Sequence, residues 1–314
     1  MKFKKILLIG VDEAKLGSTY WDRINALTDK KVYLPKDSPE IKINLKDADC
    51  LLVNFGITVT KADVDSAPNL KYIGILATAF GKVDVEYANN KGIVVCNLPG
   101  YSSESVAEFT IAAILETIRH LDEGKKRGRA GNVSEEGISA IEIKDRIFGI
   151  IGLGNIGTRV GEIASGFDAR VKYWSRHKKD VKNVTYQELD DLISEADFLS
   201  LNLAQTPETE RILDKKRFQL LKPGAVVINT APMELVDIDA LVERLKKDDI
   251  TFILDHSDEM SEQDLGKLLP YANCIIYPPI AYVSKEAGIS KQEMFTSNIE
   301  NFVKGNPKNS VKIS

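Results

Sequence analysis

Cysteine is scarce in this chain. There are three among 314 residues, Cys50, Cys96 and Cys274, an odd number set far apart inside apolar segments. That spacing excludes a disulfide framework, makes a metal cluster unexpected, and suits reduced thiols in a cytoplasmic protein. No apolar run approaches the length needed to cross a bilayer, so no membrane partner is expected. The opening Met1-Lys-Phe-Lys-Lys-Ile-Leu-Leu-Ile-Gly10 is basic and then briefly apolar, but Asp12 and Glu13 follow with no small-residue cleavage site. It reads as a first strand and not as an export signal. A basic excess is also lacking: 42 Lys and Arg face 46 Asp and Glu, a net charge of −4, which leaves no electrostatic case for nucleic acid. The one basic run, Gly124 to Arg129, reads as a solvated helix end. Internal repeats, low-complexity tracts and long linkers are absent.

What is present is a globular composition, 43% hydrophobic and 28% charged, in a chain with room for two domains. Short β-rich runs alternate with helical stretches, the pattern of parallel sheets covered by helices. In the first hundred residues the candidate strands are Lys5 to Gly10, Cys50 to Phe55, Lys71 to Ala77 and Ile93 to Leu98. Pro99, Gly100 and Tyr101 break the pattern, and Ser102 or Ser103 can cap a long helix with Glu104 in its first turn. Ala107, Ile111, Ile114, Ile118 and Leu121 recur on that helix at steps of four and three, predicting a mostly buried element that packs within its own domain or against a second subunit. A second series follows at Ile147 to Gly152, Val171 to Trp174, Phe198 to Leu203, Ala225 to Asn229, Phe252 to Asp255 and Cys274 to Tyr277. Six such strands make a doubly wound sheet. A last helix, about Ser284 to Val303, has no strand after it.

The chemistry centres on Gly152-Leu-Gly-Asn-Ile-Gly157, which follows an apolar strand and opens a helix-spaced stretch, Thr158 to Ala164. Gly152 permits the tight turn, Gly154 lets a backbone approach a pyrophosphate, and Gly157 lets the helix pack on the sheet. About twenty residues on, a carboxylate would be expected for NAD, but the strand ends in Trp174-Ser-Arg-His-Lys-Lys179. A hydroxyl followed by a guanidinium and two ammonium groups attracts a 2′-phosphate, so the sequence predicts NADP over NAD.

From Lys71 to Ala287 the chain resembles the D-2-hydroxy-acid dehydrogenases, a family that includes phosphoglycerate dehydrogenase, glyoxylate or hydroxypyruvate reductase and D-lactate dehydrogenase. The likeness is carried by Val83 to Glu108, Gly149 to Gly157, Thr206-Pro-Glu-Thr209, Val227-Ile-Asn-Thr-Ala231 with Leu235-Val-Asp237, and Leu254-Asp255. It implies an α/β fold of two doubly wound parallel-sheet domains. A Rossmann NAD(P)-binding domain, 101–280, would be inserted in a flavodoxin-like substrate-binding domain, 1–100 plus 281–314. It further implies that Asn155, Ile156, Ser175, Arg176, Thr206, Thr230, Ala231 and Asp255 line the cofactor together with the three glycines. A homodimer through the helix near 103–122 is implied as well.

Enzymes of this family move hydride between nicotinamide and the C2 carbon of a 2-oxo acid, with an Arg holding the substrate and a His paired to a Glu supplying the proton. Carried onto this sequence, those three positions are Pro232, Met260 and Pro279. None of these side chains carries a proton or holds an anion. Ala79 and Phe80 stand in the substrate loop, where the bulky ring suggests a different or filled pocket. Candidate substitutes are His256, Glu259 and Tyr282, with Tyr101, Asp258, Glu234 and Lys82 further off. Strict alternation from a cofactor-facing Asp255 turns His256 away, and Glu259 can serve only through a shift of its loop. Three functions remain open. One is an NADP-dependent reductase of a small carbonyl or 2-oxo acid with a rebuilt site. Another is a non-catalytic NAD(P)-binding dimer acting as a sensor or interaction protein. The third is a protein that uses tightly held cofactor transiently, with no net redox change.

Overall fold

The computed structural model describes residues 2–312. By internal contacts they divide into two units, one of residues up to Ser102 together with those from Ser284, and one of Ser103–Val283. Among the described residues no helix is long and apolar enough to cross a membrane.

The first unit holds five parallel strands, β1 Ile6–Ile9, β2 Lys31–Leu34, β3 Cys50–Val53, β4 Tyr72–Ile75 and β5 Val94–Cys96, in the order β2-β1-β3-β4-β5. The central strands β1, β3 and β4 are buried at every position, as expected where helices cover both faces. Alternate residues separate into two cores. Leu7, Ile9, Leu51, Val53, Ile73 and Ile75 pack on one side. Ile6, Leu8, Cys50, Leu52 and Tyr72 pack on the other, with Phe295 and Ile299 of the helix Lys285–Val303. Ser284 caps that helix by accepting from the Ala287 amide. Arg23 of the helix Ser18–Asn25 fastens it, donating to Glu293 at 2.6 Å and to Glu300 at 2.8 Å.

The second unit has seven parallel strands. They are β6 Ile147–Ile151, β7 Arg170–Trp174, β8 Thr185–Tyr186, β9 Phe198–Leu201, β10 Val226–Asn229, β11 Thr251–Leu254 and β12 Cys274–Ile276, ordered β12-β11-β10-β9-β6-β7-β8. The order reverses between β6 and β9, which is where doubly wound sheets open a crevice at their carboxyl edge. The fold class predicted from the sequence is thus observed in both sheets.

Two local expectations are corrected. β2 and β8 were not foreseen. Both are edge strands paired on one side only, and neither has the continuous apolar run of a central strand. The long helix also ends earlier than expected. It spans Ser103–Ile118, and His120 adopts a left-handed conformation (φ 51°) that starts a separate helix, Leu121–Arg129. Leu121 is consequently exposed and lies off the buried face. Phe80 of the substrate loop packs against the core of the first unit.

Candidate active site at the carboxyl edge of the seven-stranded sheet

Every strand of the second sheet runs the same way, so the residues just beyond the strand ends gather along one edge. The glycine turn leaves β6 there. Gly152 has φ +98°, and a Cβ on it would lie 2.7 Å from the Asn202 carbonyl oxygen beyond β9. A Cβ on Gly157 would lie 2.1 Å from the Gly152 carbonyl oxygen, so only glycine lets the helix Asn155–Gly166 start so close to the turn. At Gly154, by contrast, a Cβ would meet nothing within 4 Å. The space over that residue is open, and no side chain caps the helix behind it. The first amides of an uncapped helix have no intrahelical acceptor, so those of Asn155, Ile156 and Gly157 can donate to an anion.

Beyond β7, Ser175 donates its hydroxyl to the His177 carbonyl at 2.6 Å and so closes a tight basic turn. Arg176 is exposed and 3.9 Å from Glu208. Lys178 lies over the Tyr186 ring, and Lys179 donates to the Leu153 carbonyl inside the glycine turn. Thr206 sits in a loop tied by Thr209, which accepts from the Thr206 amide and donates to the Ala204 carbonyl. Thr230 and Ala231 follow β10, where the Ala231 amide donates to the Asn229 side chain. Asn202 belongs to the same edge and was missed from the sequence. Its Oδ1 is buried without a hydrogen-bond partner, and only its place one residue after β9 could have drawn attention to it.

Pro232, Met260 and Pro279 have structural uses. Pro232 precedes the short turn Met233–Leu235, whose Met233 sulfur accepts from the Asn229 amide group. Met260 packs against the core of the second unit. Pro279 lies in the loop after β12, which Asp255 ties down by accepting from the amides of Ile280 and Ala281 at 2.9 and 3.0 Å through Oδ1. Its other oxygen, Oδ2, is buried and has no partner. Burial outweighs those two amide bonds and holds the Asp255 carboxyl above its ordinary value.

His256 differs from expectation. β11 ends at Leu254, so the alternation of the strand does not extend to His256. The turn Ser257–Glu259 folds back and brings the Glu259 carboxylate to 3.6 Å from His256 Nδ1, an ion-pair distance just beyond a hydrogen bond. Burial pulls the imidazole down, but Glu259, Asp255 and Asp258 outweigh it and raise its affinity for a proton. Tyr282 belongs to the same cluster. Burial, with Asp258, Asp255 and Glu259, pushes its hydroxyl up. Glu234 and Lys82 are exposed, and Tyr101 lies under the Lys291 ammonium within the first unit.

The D-isomer specific 2-hydroxyacid dehydrogenase NAD-binding domain model matches residues 111–281. A hydroxypyruvate reductase of Blautia hydrogenotrophica is 31% identical over 94% of this chain and 95% of its own. A glyoxylate reductase of Thermofilum pendens is 31% identical over 86% and 83%. Among solved structures, an acyclic imino acid reductase in complex with NADPH and D-Arg is 28% identical, with a TM-score of 0.87 over 98% of this chain and 100% of that one. A D-lactate dehydrogenase from Aquifex aeolicus, complexed with NAD and lactic acid, is also 28% identical, with a TM-score of 0.84 over 96% of each chain. By sequence match and by fold, the chain belongs to the D-isomer specific 2-hydroxyacid dehydrogenase family of NAD(P)-dependent oxidoreductases.

Proposed function

We propose that this protein is an NADP-preferring reductase of a small 2-oxo or imino acid, with an acid site rebuilt around His256 and Glu259. The observation that carries the reading is the His256–Glu259 pair, 3.6 Å apart beyond the end of β11, beside the buried Asp255 and the exposed Tyr282. In the family resemblance the positions of the Arg, the Glu and the His are held by Pro232, Met260 and Pro279, so the proton has to come from elsewhere. With Nδ1 turned to Glu259, Nε2 of His256 is the atom left to hand a proton to the substrate's oxygen or nitrogen. A carboxylate behind the ring favours the charged imidazole that such a donor needs.

The edge also fits a dinucleotide. The open space over Gly154 and the uncapped helix start suit a pyrophosphate, and the orphaned Oδ2 of Asp255 suits a hydrogen-bond donor of the ligand. Gly152, Gly154, Asn155, Ile156 and Gly157 would hold the phosphates. Ser175 and Arg176 would hold the adenosine end, and Thr206, Thr230, Ala231 and Asp255 the nicotinamide half. When bound, the reduced nicotinamide supplies a hydride. An imino acid as substrate class is supported by the similar imino acid reductase, which was solved with NADPH and D-Arg. Residues 1–100 plus 281–314 are read as the substrate-binding domain, residues 101–280 as the nucleotide domain, and the helix near 103–122 as a homodimer contact.

The test is NADPH oxidation over a panel of 2-oxo acids, each with and without ammonia or an amine to form the imine. Turnover with a panel member, falling by about 10²- to 10⁴-fold in His256→Gln, is expected. Turnover that His256→Gln leaves intact would sink the rebuilt-acid reading. A second reading, a silent NAD(P)-binding dimer, is favoured by Met260, whose packing in the core gives that position a structural use. Nucleotide binding with no oxidation across the panel would select it.

A further inference from the structure

Lys179 stands five residues beyond the end of β7 and is one of the two ammonium groups that the sequence offers to a 2′-phosphate, yet both its backbone and its side chain are engaged elsewhere. Its amide donates to the Tyr173 hydroxyl at 2.8 Å, and that hydroxyl donates to the Lys179 carbonyl at 2.5 Å. Tyr173 is itself buried within β7. The ammonium then donates at 2.5 Å to the carbonyl of Leu153, the residue between the first two glycines of the cofactor turn. The other two cations of the turn go elsewhere, Lys178 onto the Tyr186 ring and Arg176 towards Glu208.

The bond to Leu153 has a geometric consequence. A trans amide points its carbonyl and its N–H in opposite directions across one rigid plane. Fixing the Leu153 oxygen therefore fixes the aim of the N–H of Gly154, the residue that precedes the helix and has open space where a Cβ would lie. A glycine-flanked peptide is otherwise free to rotate. Lys179 thus lies on the carbonyl side of this peptide, and the Gly154 N–H on the other.

We propose that Lys179 is a positioning residue for the dinucleotide, orienting the Gly154 amide through the Leu153 peptide. This rests on the reading of the glycine turn as the pyrophosphate cradle. It acts on the pyrophosphate common to both nucleotides, whereas Arg176 meets the 2′-phosphate that only NADPH carries.

Dissociation constants for NADH and NADPH, measured by fluorescence titration on the full-length protein, separate these roles. Lys179→Met is expected to weaken both nucleotides by the same factor, about tenfold for the loss of one hydrogen bond from a charged donor. Lys179→Arg, which can still donate to the carbonyl, is expected to recover most of that loss. Arg176→Gln should weaken NADPH alone. A positioning role also leaves the ionic-strength dependence of NADH binding unchanged in Lys179→Met, because no phosphate contact is lost. Lys179→Met weakening only NADPH would overturn the proposal, as would unchanged affinity for both, or a lowered melting temperature with unchanged affinity. If Lys179→Met does not fold, Tyr173→Phe releases the same residue from the backbone side and must weaken both nucleotides. Equal wild-type affinity for NADH and NADPH would remove the NADP preference but leave this inference to be judged on NADH. Wild-type protein that binds neither would remove the cofactor reading itself.

Discussion

His256 is surrounded by carboxyl groups of its own loop, Asp255 before it and Asp258 and Glu259 after it, and by Tyr282 of the neighbouring loop. Burial alone would strip its proton, and the three carboxyl groups restore it. The sign of the pH dependence follows. A proton donor whose affinity for its proton is raised stays active further towards alkaline pH, and activity falls as pH rises through that raised value. Glu259→Gln removes the nearest charge and lets burial dominate. The alkaline limb of kcat/KM is expected to move to lower pH in that variant, with the acid limb unmoved. A profile that does not move would show that Glu259 has no hold on the proton. In sequence, Glu259 is merely one residue from Met260, and only the turn Ser257–Glu259 places it against the imidazole.

At the scale of elements, the helix Lys285–Val303 is attached to the first unit by an apolar face and by one ionic clamp. Arg23 donates to both Glu293 and Glu300, and the clamp pulls the Glu293 carboxyl down to about 2. A depressed carboxyl contributes stability above its unfolded range and loses it as pH falls through the folded value. Because the Glu293 side chain is 51% exposed, screening holds the contribution to about 1 kcal/mol or less. Urea midpoints of wild type and Glu293→Gln should therefore differ slightly at pH 7 and converge near pH 2. A difference that persists in acid would trace to the bond from the Ser297 hydroxyl to Glu293 instead. How much of the elements was legible follows from their chemistry. β1, β3, β4, β6 and β9 to β11 announce themselves as β-rich runs covered on both faces. β2 carries polar flanks on an edge and β8 is two residues long, so neither gives a periodic signal. The end of the long helix was hidden because Leu121 keeps the apolar spacing after His120 has already turned the chain.

At the scale of the whole molecule, each unit has its own parallel sheet and its own pair of cores. A nucleotide that binds the folded second unit and not the unfolded chain raises its stability by mass action, about 2.7 kcal/mol at a hundred times the dissociation constant. Calorimetry with NADPH is expected to raise the transition of the unit that contains Ser103–Val283, whether or not any substrate turns over. An unchanged transition at saturating nucleotide would contradict the dinucleotide reading of the glycine turn. The three thiols should not complicate such measurements. Burial pushes Cys96 up to about 11 and Cys274 up to about 12, and holds Cys50 well above its ordinary value, so none is a reactive thiolate at neutral pH.

The sequence by itself determined the layered α/β architecture, the glycine turn and the absence of ionisable side chains at Pro232, Met260 and Pro279. Hydrophobic periodicity and glycine spacing are local properties, written in consecutive residues. The tertiary structure decided what depends on chain reversal: that β11 stops at Leu254 and frees His256, that a short turn returns Glu259 to it, and that Lys179 reaches the Leu153 carbonyl from 26 positions away. Those contacts rest on where the strands end and how the loops between them close, and loop closure is governed by distances in space that no local pattern encodes.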